Sequence, residues 1–127
     1  MVSRYRVFVK SKVQRLCVTD KNLKYEGSLE LDQALLEAAD ILPGESVQVV
    51  NVDNGSRFET YLISAPAGSG RCILNGGAAR MGEVGDELIV MSKVLVPEEE
   101  ARLHRLHVLR VDSDNRIIDD GCHPGGR

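Results

Sequence analysis

Residues 46–65 read SVQVVNVDNGSRFETYLISA and predict two antiparallel strands joined by a tight turn. The runs 46–52 and 57–65 are rich in β-branched and aromatic residues, which favour extended backbone. Asp53-Asn54-Gly55, between them, supplies the short polar and glycine residues of a hairpin turn. This hairpin is the best-determined unit of the chain and indicates a protein built mainly from β-strands.

Strand-forming segments continue on both sides of the hairpin. Residues 5–19 alternate imperfectly between apolar and polar side chains, which predicts a long, bent strand. Shorter strands are predicted at 29–31, 71–74 and 87–96, and a second hairpin at 107–111 and 116–118. The stretch Thr19-Asp20-Lys21-Asn22 has short polar side chains that can bond nearby backbone, so a turn is predicted there.

Helical signals are few. Asp32 is a suitable N-cap, and Pro97 with the acidic residues 98–100 can open a second helical turn. After Asp32 the apolar side chains recur at helical spacing, at Ala34, Leu35, Ala38, Ala39 and Leu42. The glycine-rich tail, residues 121–127, is predicted to be disordered. Many short strands with one or two short helices predict a mainly β fold, a small barrel or sandwich, in one domain spanning residues 1–127.

Composition and charge disfavour several classes of protein. The 127 residues are 43% hydrophobic and 28% charged, with a net charge of -3 and a pI of about 5.6. An acidic chain without a basic stripe is poorly suited to binding nucleic acid through charge. No apolar run approaches the roughly 18 residues of a membrane span, and no signal peptide is evident, so the cytoplasm is the expected compartment.

The cysteines and histidines show no ligand pattern. Cys17, Cys72 and Cys122 form no CxxC motif and are expected to be reduced thiols. His104 and His107 are three residues apart, as on one helical face, but no carboxylate is patterned around them. No metal site is therefore expected.

Polar residues within the apolar strands are the candidates for chemistry. Lys12 and Arg15 lie in the first long strand, whereas Arg57, Thr60 and Tyr61 lie in the returning strand of the hairpin. Taken singly, such side chains usually face solvent. Taken together, they would form a cationic pocket with a phenol and a hydroxyl, which suits a small dicarboxylate.

Several separate motifs, in order along the chain, carry a specific resemblance. They are Lys12-Val13-Gln14-Arg15, Val18-Thr19, LKYEGS at 23–28, Asp32-Gln33, NVDNGSRFETY at 51–61, NGGAA at 75–79, VGD at 84–86 and PEEEA at 97–101. With these motifs the sequence resembles the pyruvoyl-dependent aspartate 1-decarboxylases over residues 12–101. That family consists of bacterial enzymes that convert L-aspartate to β-alanine and CO2 for pantothenate.

The resemblance implies a fold, an assembly and a maturation step. The family fold is a double-psi β-barrel, and its members form homotetramers with active sites between neighbouring subunits. They are made as inactive proenzymes that cut themselves between the positions matching Gly27 and Ser28. Residues 1–27 would become the β chain and 28–127 the α chain. Ser28 would become a covalently bound pyruvoyl cofactor that forms a Schiff base with aspartate.

The resemblance also implies roles for individual residues. Ser28 Oγ attacks the carbonyl carbon of Gly27, and Thr60 donates to the resulting oxyanion. Tyr61 protonates the carbanion that decarboxylation leaves. Two cations would bind the substrate carboxylates, and small and aromatic residues would line the pocket. The cations are Arg57 and Lys12, and the lining residues are Tyr25, Asn75, Gly76, Gly77 and Ala78.

The chain departs from the family pattern at a few positions. Gln14 stands where a histidine is usual, which could change the rate or pH dependence of processing or turnover, and Leu29 and Gly77 replace a common cysteine and alanine. Two other hypotheses stay open beside the enzyme. One is an unprocessed double-psi barrel that binds a dicarboxylate without chemistry, supported by Gln14. The other is a nucleic-acid binder with similar strand–turn–strand units, which the acidic charge disfavours.

Overall fold

Strands make up most of the computed structural model, which describes residues 3–124. The elements are β1 Tyr5–Cys17, β2 Asp20–Asn22, β3 Ser28–Asp32, α1 Gln33–Ala39, β4 Ser46–Asn51, β5 Arg57–Ala65, β6 Cys72–Asn75, a 3₁₀ helix Gly76–Met81, β7 Glu87–Pro97, a second 3₁₀ helix Glu98–Leu103, β8 Arg105–Val111 and β9 Ile117–Pro124. The predicted mainly β fold with few short helices is confirmed.

The nine strands form one mixed sheet in the order β2-β6-β3-β5-β4-β7-β1-β8-β9. The pairs β1–β8, β2–β6 and β3–β5 are parallel. The sheet curls back on itself after β1, because the backbone N–H of Thr19 donates to Cys72 O in β6 at 2.8 Å. Asn115 Nδ2 also connects this region, because it donates hydrogen bonds to Cys17 O and Gly70 O. The arrangement is barrel-like, and the strand crossing of a double-psi barrel stays a prediction.

Alternate residues of the strands fill a single core. The predicted hairpin is confirmed as β4–β5, with a register running from Ser46 opposite Tyr61 to Val50 opposite Arg57. In β4 the side chain of Gln48 is half-buried between two buried valines, as expected for a strand with one face on the core. The largest fully buried side chains are Leu16, Leu29, Leu31, Leu35, Leu36, Leu62, Leu74, Leu88, Leu109, Val13, Val18 and Val49.

Strand β1 is bent, as its imperfect alternation predicts. Its register with β7 shifts between Val9 and Ser11 and again between Val13 and Leu16. At the second shift Arg15 takes a φ of 66°, a left-handed conformation that costs a non-glycine residue roughly 1–2 kcal/mol. The bend is held in place by Val13 and Leu16, which are both fully buried.

The helices are short. Helix α1 ends at Ala39 because Asp40 takes a left-handed φ of 56°. The predicted apolar face is therefore wrong at Leu42, which lies beyond the helix and is exposed, while Ile41 is buried in its place. Among residues 3–124 no helix is both long and apolar enough to span a membrane.

Two sequence predictions about loops are wrong. The stretch predicted as a turn at residues 19–22 contains β2, which pairs in parallel with β6 from Asp20 opposite Ile73. The predicted disordered tail begins too early, because β9 continues to Pro124 and pairs there with Arg105 of β8. Backbone hydrogen bonding to β8 outweighs the conformational freedom of the glycine at position 121. Residues 125–127 of that tail lie outside the described part of the chain.

The cysteines and histidines serve no shared site in the described residues. Cys17, Cys72 and Cys122 are free thiols, and burial raises the pKa of the Cys72 thiol to about 12, which keeps it protonated. His104 Nε2 bonds Val9 O and His107 Nε2 bonds Asp120. Between residues 3 and 122, whose side chains the structure describes, no three His, Cys, Asp or Glu side chains come together as metal ligands would.

The Asp32 carboxylate joins the start of α1 to the loop between β5 and β6. Its oxygens accept from the backbone N–H groups of Ala34, Gly68 and Gly70 at 2.8, 2.9 and 2.8 Å. Asp32 is buried, so removing the carboxylate leaves these donors without their acceptor. We expect Asp32→Ala to lower the free energy of unfolding by about 3 kcal/mol, because bonds to a charged acceptor are each worth about 1.5–3 kcal/mol.

Urea denaturation measures this change. The control is Asp20→Ala, since Asp20 is exposed and its carboxylate accepts only from the N–H of its neighbour Lys21 among the described bonds. A loss at Asp32 no larger than the loss at Asp20 would contradict the structural role.

Candidate active site

An open pocket of ≈ 440 Å³ lies where β5 passes the chain segment before β3. Its walls combine aromatic and small side chains with one hydroxyl, one phenol and one carboxylate. The lining residues are Gly27, Phe58, Glu59, Thr60, Tyr61, Gly77, Ala78 and Met81. Five of these had been singled out from the sequence. The pocket therefore brings together parts of the chain as far apart as residues 27 and 81.

Ser28 sits beside this pocket as the first residue of β3. Its side chain is completely buried. Ser28 Oγ donates to the backbone carbonyl of Glu26 at 3.1 Å and accepts from Asn75 Nδ2 at 3.2 Å. Asn75 faces it directly, because β3 and β6 pair with Ser28 opposite Asn75. The hydroxyl is thus held by one acceptor and one donor, beside the peptide bond that follows Gly27.

The 3₁₀ helix Gly76–Met81 presses against the segment before Ser28. Gly76 has a φ of 60°, and a Cβ built on it would lie 2.6 Å from Gly27 N and 2.7 Å from Tyr25 O. No side chain fits there without moving backbone. The close approach that the small residues 75–79 indicate does occur, and the partner is the segment Tyr25–Gly27.

This contact predicts different effects at two adjacent glycines. Gly76→Ala should lower the free energy of unfolding by about 3 kcal/mol, because it adds left-handed strain of roughly 1–2 kcal/mol and an overlap of similar cost. Gly77→Ala is the control, since a Cβ there meets nothing within 4 Å, and its change should stay under about 0.5 kcal/mol. Urea unfolding in a Ser28→Ala background compares them. Equal losses of unfolding free energy in the Gly76→Ala and Gly77→Ala variants would contradict the close contact at Gly76.

Strand β5 places Thr60 and Tyr61 next to the Gly27–Ser28 junction. β3 and β5 pair in parallel with Leu29 opposite Leu62, and the same register extended back by two residues puts Gly27 level with Thr60. Tyr61 is 36% exposed, and its hydroxyl donates to Glu26 Oε2 at 3.5 Å. Thr60 and Tyr61 therefore line the same pocket as Gly27, next to this junction.

Tyr25 and the two implied substrate cations lie apart from the pocket lining. Tyr25 is exposed, in the turn before the junction, where its backbone N–H donates to Asn22 O. Arg57 is exposed at the start of β5, three residues before Thr60.

Lys12 lies on β1, and three strand steps separate β1 from β5 through β7 and β4. At about 4.8 Å per step this is roughly 14 Å measured along the sheet, so Lys12 and Thr60 belong to strands that are not neighbours. Arg15 lines a different pocket with Cys17 and Asp112. The predicted grouping with Thr60 and Tyr61 is therefore wrong for Arg15, whereas the roles of Lys12 and Arg57 stay predictions.

The structure adds two carboxylates that sequence reasoning missed. Glu26 bonds the Tyr61 hydroxyl, and Glu30 Oε1 accepts from Asn75 Nδ2 at 3.5 Å. Glu30 is two residues from Ser28 in a predicted strand, so the two-residue period of β-structure places both on one face. The two-residue period could therefore have identified Glu30 from the sequence. The Glu26 contact depends on how the turn before β3 folds, which leaves no local signal.

Comparisons with known proteins identify the family of the chain. The family model described as aspartate decarboxylase matches residues 4–118. The chain is 50% identical to "Aspartate 1-decarboxylase" of Pelotomaculum thermopropionicum over 115 residues, which is 91% of this chain and 87% of the relative. It is 50% identical to the protein of the same name from Syntrophobacter fumaroxidans over 116 residues, covering 91% and 94%.

A third relative of that name, from Thermoanaerobacter pseudethanolicus, is 46% identical over 114 residues, which is 90% of this chain and 97% of the relative. Identities this high over nearly the full length of both chains establish kinship. The chain belongs to the aspartate decarboxylase family, which confirms the enzyme family indicated by its motifs.

Proposed function

We propose that this chain is a self-processing decarboxylase that converts L-aspartate to β-alanine and CO2. The observation that carries the proposal is Ser28. It is completely buried, directly follows a glycine, and is held by Glu26 O and Asn75 Nδ2 beside a pocket lined by Thr60 and Tyr61. A serine in that position fits the origin of a pyruvoyl group, because nucleophile and peptide bond belong to the same short segment.

Cleavage would begin with Ser28 Oγ adding to the carbonyl carbon of Gly27 as the hydroxyl proton leaves. The carbon–nitrogen bond then breaks, the nitrogen takes up a proton, and an ester replaces the amide. Thr60 would donate to the oxyanion, since the β3–β5 register, extended back from Leu29 opposite Leu62, brings it level with Gly27.

Residue 28 then loses its α-proton, and the bond between its β-carbon and oxygen breaks. Gly27 leaves as a carboxylate. Addition of one water releases the nitrogen as ammonia, and the pyruvoyl group remains at the new start of 28–127. This group supplies an electron sink for the electron pair released when a carboxylate leaves as CO2.

The chain's own side chains would bind the substrate and move the proton. Tyr61, which lines the pocket, would return a proton to the carbon that lost CO2. Arg57 can bind one substrate carboxylate through two parallel hydrogen bonds, and Lys12 can form an ion pair with the other carboxylate. Gly77 and Ala78 leave room for the substrate in the pocket wall, and Tyr25, in the exposed turn before Gly27, would contact the substrate.

A homotetramer with active sites between subunits is part of the proposal. Two observations support it. Lys12 lies three strand steps from β5 and does not line the pocket of its own chain, so a neighbouring copy could supply it. In addition Tyr5 and Val7 of β1 and Leu95 of β7 form an exposed apolar group, 59%, 65% and 64% accessible, which another copy could cover. We place the activity in the cytoplasm, where β-alanine would serve pantothenate synthesis.

Intact mass spectrometry of the purified protein tests the proposal. We expect two species, residues 1–27 and residues 28–127, the second with a pyruvoyl end, and formation of β-alanine from L-aspartate. A single species of 13.9 kDa after prolonged warm incubation, without release of CO2, would instead support the unprocessed dicarboxylate-binding barrel.

A further inference from the structure

Ser28 and Asn75 form a buried polar pair between β3 and β6. Their exposed fractions are 0% and 2%, and they face each other directly in the antiparallel register. Asn75 Nδ2 donates to Ser28 Oγ at 3.2 Å. The orientation of the Asn75 amide therefore decides whether Ser28 Oγ meets a donor or an acceptor.

Glu30 contacts the same amide nitrogen from the next position on that face of β3. It is diagonal to Asn75 across the strand pair, a separation that long side chains bridge. Glu30 Oε1 accepts from Asn75 Nδ2 at 3.5 Å. An asparagine amide has two hydrogens on this nitrogen, so one can go to Ser28 and the other to Glu30.

A carboxylate can only accept hydrogen bonds, and this property selects one orientation of Asn75. With the amino group turned toward Glu30, the same group also faces Ser28 Oγ. With the amide reversed, its oxygen would face the Glu30 carboxylate and repel it. The reversed amide would also draw the Ser28 proton toward Asn75, away from Glu26 O.

This orientation matters when the Ser28 hydroxyl loses its proton. Negative charge then develops on Oγ, and a donor already aimed at that atom stabilises it. An amide oxygen in the same place would oppose the charge. Glu30 is half-buried and does not line the pocket beside Thr60 and Tyr61.

We propose that Glu30 is a positioning residue for self-cleavage, which acts by holding the Asn75 amino group on Ser28 Oγ. The inference rests on the proposed self-cleavage and assigns Glu30 to maturation, apart from the decarboxylation of aspartate. It concerns residues of the unprocessed chain alone.

Cleavage rates of three variants test this role. Freshly purified precursor is incubated at fixed temperature and the cleaved fraction is followed by intact mass. Glu30→Leu, which has similar bulk but no acceptor, should slow cleavage about 10-fold or more. Glu30→Gln should cleave more slowly than wild type but clearly faster than Glu30→Leu, because its amide oxygen can still accept from Asn75 whereas its amino group can also pair with the reversed amide. Glu37→Leu, on the exposed face of α1, is the control and should not change the rate.

A second readout separates positioning from general damage. Once fully cleaved, Glu30→Leu should show the kcat/KM of wild type for L-aspartate, within about 3-fold. If the leucine variant lacks the wild-type circular dichroism spectrum, Glu30→Ala replaces it, since that change only removes atoms from a half-buried side chain.

The outcomes distinguish this inference from the proposed function. A wild-type chain that never cleaves overturns both. Wild type and Glu30→Leu cleaving at the same rate overturns the role of Glu30 alone. Glu30→Gln cleaving as slowly as Glu30→Leu also overturns it, because the charge and not the amide orientation would then be required.

Discussion

Ser28→Ala should leave the chain as one intact species and remove all decarboxylation of aspartate. Alanine has no oxygen to attack Gly27 and cannot yield a pyruvoyl group, so both activities should fall by at least about 1000-fold, to background. The fold should persist, because Ser28 contributes only its hydroxyl contacts to Glu26 and Asn75. Intact mass and β-alanine formation measure the two effects.

The matched control for this prediction is Ser113→Ala, at an exposed turn position. It should cleave and decarboxylate like wild type. Release of residues 1–27 from the Ser28→Ala chain would mean that another agent cuts the chain, and self-cleavage would be contradicted.

Lys12→Ala and Arg57→Ala should each reduce kcat/KM for aspartate by about 100-fold or more. Each change removes a charge-assisted bond to a substrate carboxylate, worth roughly 3 kcal/mol. If Lys12 reaches the pocket of a neighbouring chain, the two inactive variants should rescue each other on co-expression. Random assembly gives roughly a quarter of the sites an intact Lys12 from one chain and an intact Arg57 from the other.

Activity per cleaved chain measures this complementation. Mixing the separately assembled variants without subunit exchange is the negative control, and Lys93→Ala, on the exposed surface of neighbouring β7, should keep wild-type activity. Two inactive variants that stay inactive in co-assembled oligomers would place both cations in one chain.

The elements were predictable where local patterns match the final environment. The hairpin β4–β5 has β-branched strands and a turn of Asp53-Asn54-Gly55, and each part favours the same structure. The wrong predictions fall where long-range pairing overrides local preference. Asp20–Asn22 has turn chemistry and Gly121 has a flexible backbone, but both lie in strands because β6 and β8 offer them free hydrogen-bonding edges.

The site was predictable in part for a similar reason. Thr60 and Tyr61 are neighbours in sequence, and their place beside Gly27 follows from one parallel strand pair. Lys12 was grouped with them by chemistry, but its distance depends on the order of strands in the sheet, which composition and spacing do not contain. The contact between Glu26 and Tyr61 was missed because it joins an irregular turn to a strand 35 residues later.

The position of β1 has a consequence for the molecule after cleavage. Residues 1–27 carry β1, which is inserted between β7 and β8 and pairs with both. A cut after Gly27 would therefore leave the fragment held by hydrogen bonds and by buried Val13 and Leu16. Refolding of each cut subunit would require two separate chains to meet, so its apparent stability would depend on protein concentration even before subunits assemble. Maturation would thus turn a unimolecular folding reaction into a bimolecular one.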